Sequence, residues 1–137
     1  MTQTDATTPH SDLPSFAFGD SAELCETLLA LVRSGRKTAT CGALRDYLKD
    51  GEPIPVAGER WVVTDWAGAP QLLIEITDVT IARFCSVQSD FALAEGENDD
   101  LAEWQADHRR FFERNGGWSP QMQLVCERFR LIEDFGS

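Results

Sequence analysis

Gly35-Arg36-Lys37-Thr38-Ala39-Thr40 stands where a helix gives way to a strand, and the reading of that junction decides the fold. Upstream, Leu24, Leu28 and Leu31 with Cys25, Leu29 and Val32 trace one face of a helix. Asp20 followed by Glu23 has capping-box form at its start, and Gly35 suits a left-handed stop. Downstream, residues 37–41 read as a short strand. Ala43–Lys49 reads as a second short helix ahead of the turn-rich Asp50–Gly58 stretch. Lys37, one of only two lysines, thereby lies at a strand start against apolar surface, a setting in which a lysine can serve as a base. Thr40 supplies a hydroxyl that such an amine could activate or help to bind.

Working outward, Arg60-Trp61-Val62-Val63-Thr64-Asp65 and Gln71–Val79 flank an Ala67-Gly68 turn and predict a hairpin. Phe84–Val87 is expected to continue that strand or begin a neighbour. Asp99 or Asp100 caps a predicted helix carrying Leu101, Trp104, His108, Phe111 and Phe112, with Asn115-Gly116-Gly117 as its stop. In Met122–Glu133, Leu124, Cys126, Arg128 and Arg130 alternate with Val125, Glu127, Phe129 and Leu131, predicting a long strand with one apolar and one partly cationic face. Residues 1–14 are polar and aperiodic and read as a disordered tail. One domain then spans 15–137. About five strands interrupted by helices make an α+β protein whose short strands suit a small curved or closed β-barrel better than a parallel sheet. The glycine-rich nucleotide signatures GxGxxG and GxxxxGK[ST] are absent.

The 137 residues carry a formal charge of −11, from 23 acids against 12 bases. Such a field repels long polyanions, so a small, weakly charged ligand suits it better than extended nucleic acid. Cationic spots remain at Arg33, Arg36 and Lys37, at Arg109, Arg110 and Arg114, and at Arg128 and Arg130, which a fold could gather around one cleft. No apolar run approaches the roughly 20 residues that span a membrane, and no basic segment precedes a hydrophobic block at the N-terminus. A cytoplasmic location is expected. Cys25, Cys41, Cys85 and Cys126 are scattered without CxxC spacing, and His10 and His108 are the only histidines. Neither a structural metal nor another cofactor is expected.

Three constellations could carry chemistry. Lys37 and Thr40 would point to opposite faces of a regular strand. They meet only if the strand begins after a bend around Thr38 or the lysine stem curls back; otherwise they are a surface cation and a β-former. The acids of Phe91–Asp100 crowd ahead of a helix, where one or two serve its N-terminus. Gly96 suggests a backbone shape that directs Glu95 or Glu97 elsewhere, and a carboxylate held near a lysine is a general acid/base or an orienting ion pair. The alternatives are a solvated acidic cap and a calcium loop, though DxDxDG spacing is missing. Trp104, His108, Phe111, Phe112 and Trp118 read mostly as core, with His108 a packed histidine on the Trp104 face. Trp61, Trp66, Trp104 and Trp118 include candidate stacking surfaces for a base, and Tyr47, the only tyrosine, is near enough to the strand to line the same pocket.

Taken together, Ser34–Cys41, Ala94-Glu95-Gly96-Glu97 through Glu103-Trp104, His108–Phe112 and Leu124–Phe129 resemble the ASCH domain family, a PUA-like β-barrel group. The likeness covers nearly all of residues 16–135 and is nearest to a bacterial branch with an EGE-type acidic motif. It implies a cleft beside the Lys37 segment. In a related branch of acetylcytidine amidohydrolases, a lysine, a threonine three residues later and a glutamate before a helix form the catalytic set. By motif these fall on Lys37, Thr40 and Glu97, with Arg36, Tyr47, Glu95 and Arg128 expected to bind substrate. That branch tends to carry an arginine two residues after the threonine, where this chain has Gly42. The resemblance implies a small hydrolase of an acylated nucleoside or similar amide. The alternatives are an RNA-binding or RNA-processing module, with Arg36, Lys37 and Arg128 or Arg130 on phosphates, and a non-catalytic regulator that binds a small ligand.

Overall fold

Apolar alternation and bulges build one sheet. In the computed structural model, which describes residues 12–135, it holds β1 (Ser15–Ala17), β2 (Ala39–Ala43), β3 (Arg60–Thr64), β4 (Pro70–Arg83) and β5 (Gln123–Asp134). The strand order is β1-β3-β4-β5-β2. β1 pairs with β3 in parallel and all other pairs are antiparallel. Register shifts at Leu73/Ile74 and Ile76/Asp78 bend the long β4–β5 ladder, because an unpaired residue increases local twist. The sheet curls into an open half-barrel flanked by four helices: α1 (Ala22–Arg33), α2 (Leu44–Asp50), α3 (Ser89–Ala94) and α4 (Leu101–Arg114).

Two apolar clusters fill the space between sheet and helices. Cys25, Leu28, Leu29 and Val32 of α1 pack with Phe18, Val63, Leu72, Ile74, Ile76 and Phe129. Trp104 and Phe112 of α4 pack with Phe91 and Ala92 of α3, Ala39 and Ala43 of β2, and Leu124 and Cys126 of β5. Each large aliphatic side chain buried this way contributes about 1.5–3 kcal/mol. β5 therefore serves both clusters, and its first half is buried on both faces.

Several expectations change for identifiable reasons. Ser21, not Asp20, caps α1 by accepting the Leu24 amide at 3.1 Å. The Asp20 carboxylate instead accepts from Arg114 at 2.7 Å and Asn115 at 2.8 Å. Phe84–Ser86 forms a 3-10 turn, because Phe84 plunges into the second cluster against Trp104 and Trp118. The polar tail was expected to reach residue 14. Residues 1–11 lie outside the described residues, but the Pro14 carbonyl already accepts the Val62 amide at 3.0 Å. β1 and α3 were not anticipated. The expected division of β5 into an apolar and a partly cationic face does not hold in its first half, where Leu124, Val125, Cys126 and Glu127 are all buried. Further on, Arg128 pairs with Asp90 and Arg130 with Glu75. Gly35 follows α1 with φ +84°, as its position suggested. Among the described residues, no helix is long and apolar enough to cross a membrane.

Candidate active site

The end of α1, the start of β2 and the loop after α3 meet at Lys37. Thr38 donates its amide to the Ala94 carbonyl at 2.7 Å, and Phe129 donates to the Thr38 carbonyl at 3.0 Å. The strand proper thus begins only at Ala39. Gly96 makes the approach of the two loops possible: at φ +79°, a Cβ there would sit 2.6 Å from the Arg36 carbonyl oxygen. The Glu95–Glu97 segment is thereby pressed against Lys37.

Lys37 is 1% exposed. Its stem curls back along the strand start, so that Nζ donates to the Ala39 carbonyl at 2.9 Å. The same Nζ lies 3.4 Å from the Glu95 carbonyl, from Glu95 Oε1 and from Glu97 Oε2. Its fourth neighbour is the Phe18 ring, 5.4 Å to the centroid.

Glu95 is the hub of this network. Its Oε2 accepts the Trp104 indole N–H at 3.0 Å, and its Oε1 faces both Lys37 and His108, the latter at 3.5 Å. Burial alone would raise the carboxyl pKa. The Lys37 charge and the hydrogen bonds from His108 and Trp104 overcome that penalty and bring it down to about 2. His108 has acceptors on both sides, the Trp104 carbonyl 3.0 Å from Nδ1 and Glu95 at Nε2. Burial works against its charged form, yet the Glu95 carboxylate holds its pKa above the ordinary value. The ring also stacks on Trp104 at 4.2 Å between centroids, so the packed histidine is a charge partner as well.

A cavity of about 250 Å³ opens over this network, lined by Lys37, Thr40, Cys41, Glu95, Glu97 and His108 with residues of α1 and α4. Glu97 retains 24% side-chain exposure and is the more accessible of the two carboxylates on Lys37. Among the described residues, the Thr40 hydroxyl makes no hydrogen bond, which leaves it available to a ligand. Cys41 is a poor nucleophile here, because burial and the Glu95 charge push its thiol well up. Cys41, Glu95 and His108 offer donor atoms within 4.8 Å of one another, a set chemically able to hold a transition metal. Both oxygens of Glu95 are, however, already engaged, Oε1 by the Lys37 ammonium and the His108 ring and Oε2 by the Trp104 indole.

Of the residues singled out in the sequence, Lys37, Thr40, Glu95 and Glu97 meet at this cavity. Tyr47 lines a second cavity that adjoins it through Phe18, Gly19, Thr40 and Cys41. Arg36 is exposed and lines neither. Arg128 lies elsewhere, 3.2 Å from Asp90 and over the Phe91 ring. The sequence reading passed over Glu127, which accepts the Tyr47 hydroxyl at 3.0 Å. A lone acid at an otherwise apolar alternation, Val125-Glu127-Phe129, was the available signal.

The family model for the ASCH domain matches residues 14–133. The chain belongs to the ASCH domain family. Among solved structures, the ASCH domain from Lactobacillus crispatus JV V101 shares 33% identity with a TM-score of 0.78, covering 95% of this chain and 86% of that one. Protein EF3133 from Enterococcus faecalis V583 shares 34% identity at a TM-score of 0.82, covering 94% and 84% respectively. A point variant of ZmASCH from Zymomonas mobilis, at 13% identity and TM-score 0.54 over 90% and 73%, is alike in fold alone. No curated protein matches the chain in sequence. The half-barrel described above is accordingly an ASCH, PUA-like fold.

Proposed function

We propose that this ASCH domain hydrolyses the acyl group of an acylated nucleoside or a similar small amide, with Thr40 as nucleophile. The observation that carries this reading is a buried lysine beside two carboxylates, on the wall of a cavity that also exposes an uncommitted threonine hydroxyl. Nζ first passes one proton to Glu97. It then accepts the Thr40 hydroxyl proton as the oxygen attacks the acyl carbon. The C–N bond breaks, the departing amine takes that proton from Lys37, and an acyl-threonine ester remains. Water, deprotonated by the now neutral Lys37 Nζ, cleaves the ester to a carboxylic acid, and the leaving Thr40 oxygen takes that proton back from Lys37. Glu95, pinned by Trp104 and His108, is a positioning residue that holds Nζ in place. Arg128 and Arg130 are occupied by Asp90 and Glu75, so the RNA-binding alternative gains no support from their arrangement.

The test is incubation of the full chain with a panel of acylated nucleosides, read by mass spectrometry. Thr40→Ala removes a hydroxyl with no structural bond and should fold normally while turnover drops. Loss of proton transfer in Lys37→Ala should cost on the order of 10²–10⁴ in rate. Hydrolysis persisting at wild-type rate in a folded Thr40→Ala protein would overturn the assignment.

A further inference from the structure

The second cavity, about 450 Å³, opens from the same Thr40–Cys41 wall and differs sharply from the first in its lining. Its walls carry four aromatic rings, Phe16, Phe18, Tyr47 and Trp61. Among the described residues its charged groups are all acids, Glu52, Glu59 and Glu127, with no lysine, arginine or histidine in the lining. Glu127 is only 5% exposed, and its Oε2 accepts the Tyr47 hydroxyl. Among the described residues no donor meets its Oε1. That oxygen lies on a residue that lines the cavity, where a ligand N–H could donate to it.

Gly42 explains why this arrangement exists here. A Cβ at that position would already touch the Tyr47 ring at 3.4 Å and the hydroxyl at 3.6 Å. Any longer side chain needs the space Tyr47 occupies. Gly42 thus leaves room for a tyrosine seated on a buried acid.

We infer that this chamber takes the non-acyl half of the substrate as a flat, unphosphorylated ring presenting an N–H to Glu127. The inference rests on the hydrolase reading and narrows it. Aromatic walls stack on a ring whatever its identity, while three carboxylates, with no cation among the described lining residues, disfavour phosphate. Burial and the nearby Glu59 also push the Glu127 carboxyl up, so it can share a proton with a ligand nitrogen. The free nucleoside or base, and neither the nucleotide nor RNA, is then the ligand.

Calorimetric titration of full-length Thr40→Ala protein with cytidine, cytidine 5′-monophosphate and N4-acetylcytidine tests this. Cytidine and N4-acetylcytidine should bind, and the monophosphate should bind about tenfold more weakly or worse. In Glu127→Gln the gap between cytidine and its monophosphate should narrow, which a general folding defect would not produce. Gly42→Arg, which displaces Tyr47 and adds a cation, should turn the preference toward the monophosphate. Equal binding of cytidine and its monophosphate, an unchanged gap in Glu127→Gln, or no cytidine binding overturns the inference. Charge selectivity retained while wild-type protein leaves N4-acetylcytidine intact would sink the hydrolase reading and spare the chamber.

Discussion

Glu95 and Glu127 are both buried carboxylates, 2% and 5% exposed, on neighbouring walls of one cleft, yet their surroundings drive them in opposite directions. Glu95 has an ammonium, an imidazole and an indole N–H around it, and its pKa falls to about 2. Glu127 has a single neutral partner, the Tyr47 hydroxyl, and burial wins, raising its pKa. Burial sets a cost common to both; the number and charge of the donors decide which sign survives. The first wall is electrostatically complete within the protein. The second is left one donor short, and that incompleteness gives it something to offer a ligand.

The comparison can be broken most forcefully at Glu95. Glu95→Ala leaves Lys37 and His108 buried without their main counter-charge and should cost about 3–5 kcal/mol in urea unfolding. A loss under about 1 kcal/mol would mean that the hub is not holding the network.

His108→Gln sharpens the same side through pH. Because the folded-state pKa of His108 is raised, the stability it adds is fully present below its ordinary value near 6.5 and is lost as pH rises through the folded value. The variant should therefore be weaker than wild type by about 1.5–3 kcal/mol in mildly acidic buffer, with the deficit closing in alkaline buffer. A deficit independent of pH would show that only the stacking on Trp104 matters.

The smallest effect, of opposite sign, belongs to Glu127→Gln. A raised carboxyl pKa gives stability present below the unfolded value, about 4.3, and lost as pH climbs through the folded one. Glutamine escapes that loss, so the variant should match or exceed wild type at neutral pH by up to about 1 kcal/mol, with the advantage gone near pH 4. Thermal melts across that range measure it. Strong destabilisation at neutral pH would make Glu127 a second Glu95 and erase the contrast.

Much of this was legible along the chain. The 3.6-residue stripe of α1, the hairpin of β3 and β4, and Asp100 as the cap of α4 are local patterns, readable because each segment's periodicity names the face it buries. Lys37, Thr40, Glu95 and Glu97 could be picked out because acids, an amine and a hydroxyl gather in two short segments. Phe84 misled because an aromatic residue after a strand suits either a further strand or a plunge into the core. Asp20 misled because its real partner, Arg114, lies 94 residues away.

The residues themselves determined an acidic α+β chain, the stop at Gly35, and the identity of the amine, hydroxyl and carboxylates near the Lys37 junction. Only the tertiary structure decided that His108 would complete the charge on Glu95, that Arg36 and Arg128 would stay out of the cleft, and that Glu127 would meet Tyr47 in a space kept open by Gly42. Periodicity is a property of one segment at a time. Which donors reach a buried carboxylate depends on the curl of a sheet that brings distant segments within about 3 Å of each other, and that curl is written in no single stretch.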